Sequence, residues 1–270
     1  MADENKFAVA AIDVFDYQSA CCVVKAAERE RMPVILMFYP DMRSYIPFTT
    51  MAGIALDCAA KASVPVGVHL DHGKSYDVAI SGLAAGFPSV MYDGSMEDFE
   101  INIDITRKVT DAAHIFGVDV EAELGLVGQG SRREDFCDSD KYTTPEAAKE
   151  FVERTNVDSL AIAIGNSHGH YVCEPNLDIR RLDEINRAID TPLVLHGGSG
   201  IPVQQMAESV RYGINKVNIG TEFFEKCKVS MAKSLAGEGF VLDCYQEARE
   251  EIIAFVRERI RRINPGQFSL

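Results

Sequence analysis

Apolar residues along this chain fall into short, β-rich runs separated by longer stretches with helical spacing. Runs of the first kind occupy 7–12, 34–38, 66–70, 89–92, 118–123, 159–164, 193–196 and 216–219. Apolar character that is nearly continuous over such a length marks strands covered on both faces. Amphipathic patterns over 18–31, 48–61, 74–84, 97–116, 145–155, 179–188, 203–212 and 222–230 predict the intervening helices. Local punctuation agrees: Thr144-Pro145 puts a capping hydroxyl before a proline at the first helical position. Gly86, Gly117 and Gly213 sit where a helix must stop before the next strand. A last helix is expected over 245–263, with Ile252, Ile253, Val256, Ile260 and Ile263 at helical spacing and Pro265-Gly266 beyond it.

Eight strand–helix units with short connections and no linker predict an α/β fold, a single-domain (β/α)8 TIM barrel over residues 1–270. A doubly wound open sheet would want a glycine-rich first turn, and here strand one runs into Asp13-Val14-Phe15-Asp16. The one long irregular connection is 125–144, which holds Gly125, Gly128, Gly130 and the run from Ser131 to Asp135. It is either a surface excursion or an active-site flap, and its place after a strand's C-terminal end favours the flap.

Charge narrows the partners. The 27 basic against 41 acidic residues give a formal net charge of −14, which argues against nucleic acid or an anionic membrane. The seven cysteines are odd in number, scattered and never spaced CxxC, so they read as reduced thiols. The polar opening and the lack of a long apolar run lead to the expectation of a soluble, cytoplasmic protein.

Barrel active sites lie at the C-terminal ends of the strands, so polar residues there carry information. Strand three runs into Asp71-His72, strand four into Asp93, and strand five carries Glu121 and Glu123. Strand six leads to His168 and His170, strand seven to His196, and strand eight carries Asn218. Taken singly, each histidine reads as a hydrogen-bonded structural residue. Three imidazoles converging from different strands suit a catalytic zinc ion with one open position, whereas calcium or magnesium would want an oxygen-rich set. Asp71 beside such an ion is placed for proton transfer. Gly169 and the turn Gly197-Gly198-Ser199-Gly200, with Thr221 after strand eight, sit where barrels often bind phosphate, although the same glycines would also serve tight turns.

The segments HLDHG (69–73), DGS (93–95), EAELG (121–125), GNSHG (165–169), LHGGSG (195–200) and KVNIGTE (216–222) resemble the zinc-dependent class II fructose- and tagatose-bisphosphate aldolases. Order and spacing match from about Ala10 to Lys226, and the tagatose-bisphosphate branch is nearer at Gly220, where it carries a small residue. The resemblance implies that His72, His168 and His196 ligate one catalytic zinc, with Asp93 and Glu123 at a displaced metal position and room for a second divalent or a monovalent cation. It implies Asp71 as the acid/base. Gly169, Gly197, Ser199 and Thr221 would hold the phosphate of dihydroxyacetone phosphate, and Asn218 a substrate hydroxyl. A homodimer or homotetramer is implied as well. No Schiff-base lysine is required, and none is expected in the middle of a strand.

Several positions depart from the family's pattern. Asp13 and Asp16 stand where asparagines are usual, and Phe38-Tyr39-Pro40-Asp41-Met42 replaces a small loop. Gly220 and Phe224 stand where the fructose branch has an aspartate and a phosphate-binding arginine, and Val172 replaces a lysine. The family's helix before strand one is expected to be missing. These departures cluster on the aldehyde half, which predicts retro-aldol cleavage of a ketose phosphate to dihydroxyacetone phosphate plus an altered aldehyde. Asp13, Tyr39, Gly220 and Phe224 would set that specificity, with Arg43, Lys74, Arg132 or Arg133 supplying replacement cations. Two alternatives stand beside it. One is a zinc-dependent epimerase or isomerase of a sugar phosphate or sugar acid, for which carboxylates at Asp13 and Asp16 leave room. The other is a non-catalytic partner subunit, against which Asp71 and the three histidines speak.

Overall fold

The computed structural model describes residues 2–237 and 239–270. Eight parallel strands close into a barrel in chain order: β1 (Val9–Asp13), β2 (Val34–Phe38), β3 (Val66–Gly73), β4 (Ser89–Tyr92), β5 (Asp119–Leu124), β6 (Ser159–Ile162), β7 (Leu193–Leu195) and β8 (Ile214–Ile219). β8 pairs with β1 through Ile219 and Ile12 to complete the ring. The single-domain TIM barrel expected from the pattern is therefore the fold.

Around the ring stand α2 (Tyr17–Glu30), α3 (Phe48–Lys61), α4 (Tyr76–Ala84), α5 (Phe99–His114), α7 (Pro145–Thr155), α8 (Ile179–Ala188), α9 (Val203–Arg211) and α10 (Thr221–Leu235). The chain adds a one-turn α1 (Ala2–Asn5), a short α6 (Arg133–Phe136) inside the long connection, and a terminal α11 (Val241–Arg262). The expected absence of a helix before strand one is thus corrected to a four-residue turn of helix. Capping explains several starts. Thr144 accepts from Ala147 N at the head of α7, with Pro145 behind it as anticipated. The isoleucine stripe of α11 is core: Ile252, Ile253, Val256 and Ile260 are buried where the helix packs on α2 and α10. No helix among the described residues is long and apolar enough to cross a membrane.

Strand boundaries move in ways that matter for the site. Asp13 is the last residue of β1 and not a loop residue, because it keeps register with Met37 of β2. β3 runs on to Gly73 and takes in Asp71 and His72. β8 begins at Ile214, so Lys216 lies well inside a strand. That corrects the expectation that no strand presents a lysine at its middle. Apolar periodicity misses such a residue because a buried cation looks like an interruption of the strand.

The connection over 125–144 is ordered by backbone pairing to the loop after β6. Gly130 N donates to His168 O at 2.7 Å and His168 N to Gly128 O at 2.9 Å, while Val172 N donates to Gly130 O. It is a folded flap holding α6 and a 3-10 turn over Ser139–Lys141 rather than a loose excursion.

Candidate active site and metal centre

The C-terminal mouth of the barrel opens into a cavity of about 470 Å³. Asp71 and His72 both reach it, although neighbours on a regular strand point to opposite faces. The register of β3 against β4 slips between Leu70 and Gly73, and His72 takes a left-handed φ of 38°. This bulge turns both side chains inward, a local distortion of the kind that re-aims functional residues. Their exposures are 3% and 9%.

Three imidazoles meet there. Ring centroids of His72 lie 4.7 Å from His168 and 4.6 Å from His196. Each ring has one nitrogen already occupied. His72 Nδ1 is 2.9 Å from Asp93 Oδ2, His168 Nδ1 is 3.1 Å from the Val127 carbonyl of the flap, and His196 Nε2 is 3.0 Å from Glu121 Oε1. Those partners accept N–H bonds, which leaves His72 Nε2 and His168 Nε2 free to offer lone pairs, while His196 Nδ1, 3.2 Å from Glu123 Oε2, would offer one once a metal ion displaced the proton it shares there. His72 Nε2 and His196 Nδ1 face each other at 3.1 Å, and His168 Nε2 is buried without a partner. Glu123 completes the group, with donor atoms from all four residues within 4.8 Å of one another. Its Oε1 is likewise buried and unpartnered. Converging lone pairs backed by carboxylates and carbonyls are the donor set of a zinc site, and the residues fit that ion.

The electrostatics favour a cation. Burial opposes charge on His196, yet Glu121 and Glu123 push it up to about 10. His168 is pushed down to about 3, first by burial and then by the other two imidazoles. Glu123 is raised by burial and by Asp93, whereas Asp93 is held below the carboxylate range because His72 and Ser95 outweigh its burial. Asp71 is also held low: His72, His196 and Lys216 overcome its burial. Its Oδ1 accepts from Asn218 Nδ2 at 3.1 Å, and its Oδ2 lies 3.7 Å from His72 Nε2.

Beneath this layer lies a second one that the sequence pattern only half revealed. Lys216 Nζ meets Glu121 Oε2 at 2.7 Å, and Ser159 Oγ donates to the same oxygen. Glu121 is held well below its ordinary value because Lys216 and His196 outweigh burial. His69, one layer below Asp71, bonds Ser89 Oγ through Nδ1. Glu121 and Lys216 therefore support His196 from below. The missed signal was a lysine two residues before Asn218, with the inward phase of a strand.

On the other side of the mouth, Gly169, Gly197, Ser199 and Thr221 line the cavity between the ends of β6, β7 and β8. Gly197 has φ 64°, and a Cβ there would lie 2.0 Å from Ser167 O, so only glycine fits. Gly198 N donates to Asn218 O and Gly200 N to Glu222 Oε1. Of that turn, the amides of Gly197 and Ser199 remain for a ligand, and α10 starts beside them at Thr221.

The remaining candidates divide. Asp13, Tyr39, Gly220 and Phe224 all line the cavity, as do Lys74 and Arg132. Arg43 and Arg133 do not line it. Asp16 is the N-cap of α2, accepting from Ser19 N at 2.7 Å, so it is a structural carboxylate and the expectation of two extra site acids is corrected to one. His170 is a surface residue paired with Glu225 at 2.6 Å.

A barrel whose rim gathers three histidines and a glutamate that could hold a metal ion, with an aspartate and a glycine turn beside them, defines a candidate active site. The model of the fructose-bisphosphate aldolase class-II family matches residues 1–266, and the chain belongs to that family. A Bacillus subtilis (strain 168) protein named "Probable fructose-bisphosphate aldolase" is 41% identical over 224 residues, 82% of this chain and 78% of that one. YdjI of Escherichia coli K12 is 38% identical over 233 residues, 86% of this chain and 84% of its own. The crystal structure of the YdjI aldolase superposes with a TM-score of 0.87 at 35% identity, covering 97% of this chain and 93% of that chain. The protein is accordingly an aldolase, a carbon–carbon lyase of a zinc-dependent class.

Proposed function

We propose that the chain cleaves a ketose phosphate reversibly into dihydroxyacetone phosphate and an aldehyde, with His72, His168 and His196 holding zinc. The observation that carries this reading is the facing pair His72 Nε2 and His196 Nδ1 at 3.1 Å, with the unpartnered His168 Nε2 beside them. A zinc ion held by these residues would supply Lewis acidity to the ketose carbonyl. Asp71, kept ionised by its cationic surroundings, takes the proton of the C4 hydroxyl as the C3–C4 bond breaks and returns it in synthesis. Asn218 holds Asp71 and reaches a substrate hydroxyl. Gly169, Gly197, Ser199 and Thr221 anchor the phosphate so that the scissile bond faces Asp71. Asp93 and Glu123 would supply carboxylate oxygens to a metal ion in a displaced position.

The phosphosugar's second half meets Asp13, Tyr39, Gly220 and Phe224, none of which is a cation; Lys74 reaches it only through Tyr39, to whose hydroxyl it donates at 3.3 Å, and Arg132 lines the same cavity. We read this as retained aldol chemistry with an altered aldehyde. With Asp16 assigned to a helix cap, the epimerase alternative loses half its support. The zinc-loaded protein is assayed for triose phosphate release from fructose 1,6-bisphosphate, tagatose 1,6-bisphosphate and the corresponding 1-phosphates. Release is expected from at least one substrate, with fructose 1,6-bisphosphate disfavoured. Equal or better turnover of fructose 1,6-bisphosphate sinks the altered specificity, and no triose phosphate from any of them sinks the aldol reading. The exposed Val229, Phe240 and Leu242 support self-association as a homodimer or homotetramer, which light scattering reads directly.

A further inference from the structure

The wall between β1 and β8 contains two residues whose identities depend on each other. Gly220 has φ −114° and ψ −66°, so nothing in its backbone demands glycine. Space does: a Cβ added at Gly220 would lie 2.5 Å from Asp13 Oδ2. The Asp13 carboxylate occupies the room that a side chain at 220 would otherwise fill. The two positions are brought together because Ile12 pairs with Ile219 across the closing seam of the barrel.

Asp13 is itself incompletely satisfied. It is 9% exposed and faces the cavity, yet its Oδ1 is buried with no hydrogen-bond donor among the described residues. Leaving an oxygen dry and unpaired is costly, so a carboxyl on the cavity wall with one oxygen unsatisfied is placed to take up a hydrogen-bonding group of the ligand. Burial and the neighbouring Asp71 push Asp13 up to about 8, so its carboxyl is largely neutral near pH 7, and the groups that oppose this rise, His72, Lys216 and His196, are engaged elsewhere. Phe224 lines the same cavity, its ring 5.8 Å from that of Phe15, and offers apolar contact only.

We propose that Asp13 and Gly220 form one interlocked specificity element, in which the Asp13 carboxyl shares a hydrogen bond with a hydroxyl of the aldehyde half, selecting hydroxyaldehydes over deoxyaldehydes. The inference rests on the aldolase reading and deepens it. Gly220 makes the space and Asp13 supplies the hydrogen-bonding group.

The test separates the two readings by using half-reactions. Zinc-loaded protein is first given dihydroxyacetone phosphate alone in deuterated water, and exchange of a C3 proton is followed by NMR. Condensation with dihydroxyacetone phosphate is then measured for D- and L-glyceraldehyde, glycolaldehyde and propanal in the parent, Asp13→Asn, Asp13→Ala, Gly220→Ala and the Asp13→Ala/Gly220→Ala double variant. The parent is expected to exchange and to favour one glyceraldehyde enantiomer over propanal. Asp13→Ala is expected to cut that preference about tenfold, the scale of one lost hydrogen bond. Gly220→Ala should reproduce the loss by displacing the carboxylate. The double variant should be no worse than Asp13→Ala alone, because the added methyl then fills vacated space. Asp13→Asn, which keeps the shape and an acceptor, should retain most of the preference. If the parent shows no exchange, the aldolase reading fails and takes the proposal with it. If exchange occurs but the preference survives Asp13→Ala, or the two alanine effects add, the proposal alone is overturned.

Discussion

Lys216 Nζ lies 2.7 Å from Glu121 Oε2 in the barrel interior, and the other oxygen of Glu121 is 3.0 Å from His196 Nε2. One buried ion pair thus holds the imidazole whose opposite nitrogen faces the metal pocket. Removing Lys216 leaves Glu121 buried with an uncompensated charge. Lys216→Met should cost about 3–5 kcal/mol of stability, and zinc affinity should drop about 10–100-fold through the loosened His196. The double variant Lys216→Met/Glu121→Leu should recover part of the stability and none of the affinity. Denaturant midpoints and zinc titration read the two effects separately, and an additive double variant would show that the pair does not act as a unit.

Metal content should distinguish ligands from the acid/base. His168→Ala is expected to lower bound zinc below one per chain by mass spectrometry and to abolish triose phosphate release. Asp71→Asn should keep the metal and lose about 100–10,000-fold in kcat, the range of a lost proton-transfer group. Full activity in Asp71→Asn would remove Asp71 from the mechanism.

The glycine turn predicts a different signature. Ser199→Ala removes a hydroxyl at the phosphate end while leaving metal and Asp71 in place. KM for the phosphorylated ketose should rise about tenfold, with a smaller change in kcat. Gly197→Ala should be far worse, because its Cβ would meet Ser167 O at 2.0 Å and φ is 64°. A Gly197→Ala protein with parent-like KM would contradict the turn's role.

His69 makes stability depend on pH in a defined direction. Burial, then the charge of Lys216, pushes it down from 6.5 to about 4. The unfolded chain binds a proton there below about pH 6.5 while the folded chain does not until about pH 4. Stability is therefore lost as pH falls through that window and is unaffected above it, at a slope of at most about 1.4 kcal/mol per pH unit. His69→Gln should flatten the decline in urea midpoint between those two values. An unchanged slope would assign it to other groups.

Chain periodicity alone was enough to predict a barrel, since eight apolar runs with helical spacers leave few other closures. It also placed the candidate residues at one rim, because Asp71, His72, Asp93, Glu123, His168, His196 and Asn218 each fall near or beyond a strand's C-terminal end. Asp16 was misread for a local reason. A carboxylate after a strand looks catalytic until the helix it caps is seen to use it, and Ser19 three residues on was the available clue.

What only the tertiary structure decided concerns direction and distance. A regular strand would send Asp71 and His72 to opposite faces; the slipped register of β3 against β4 turns both inward. Glu121 and Lys216 are 95 positions apart, and their pairing arises only when β5 and β8 face each other across the closed barrel. The same closure sets Asp13 against Gly220. Local spacing reports which residues leave water, whereas the partners they meet there are fixed by the ring as a whole.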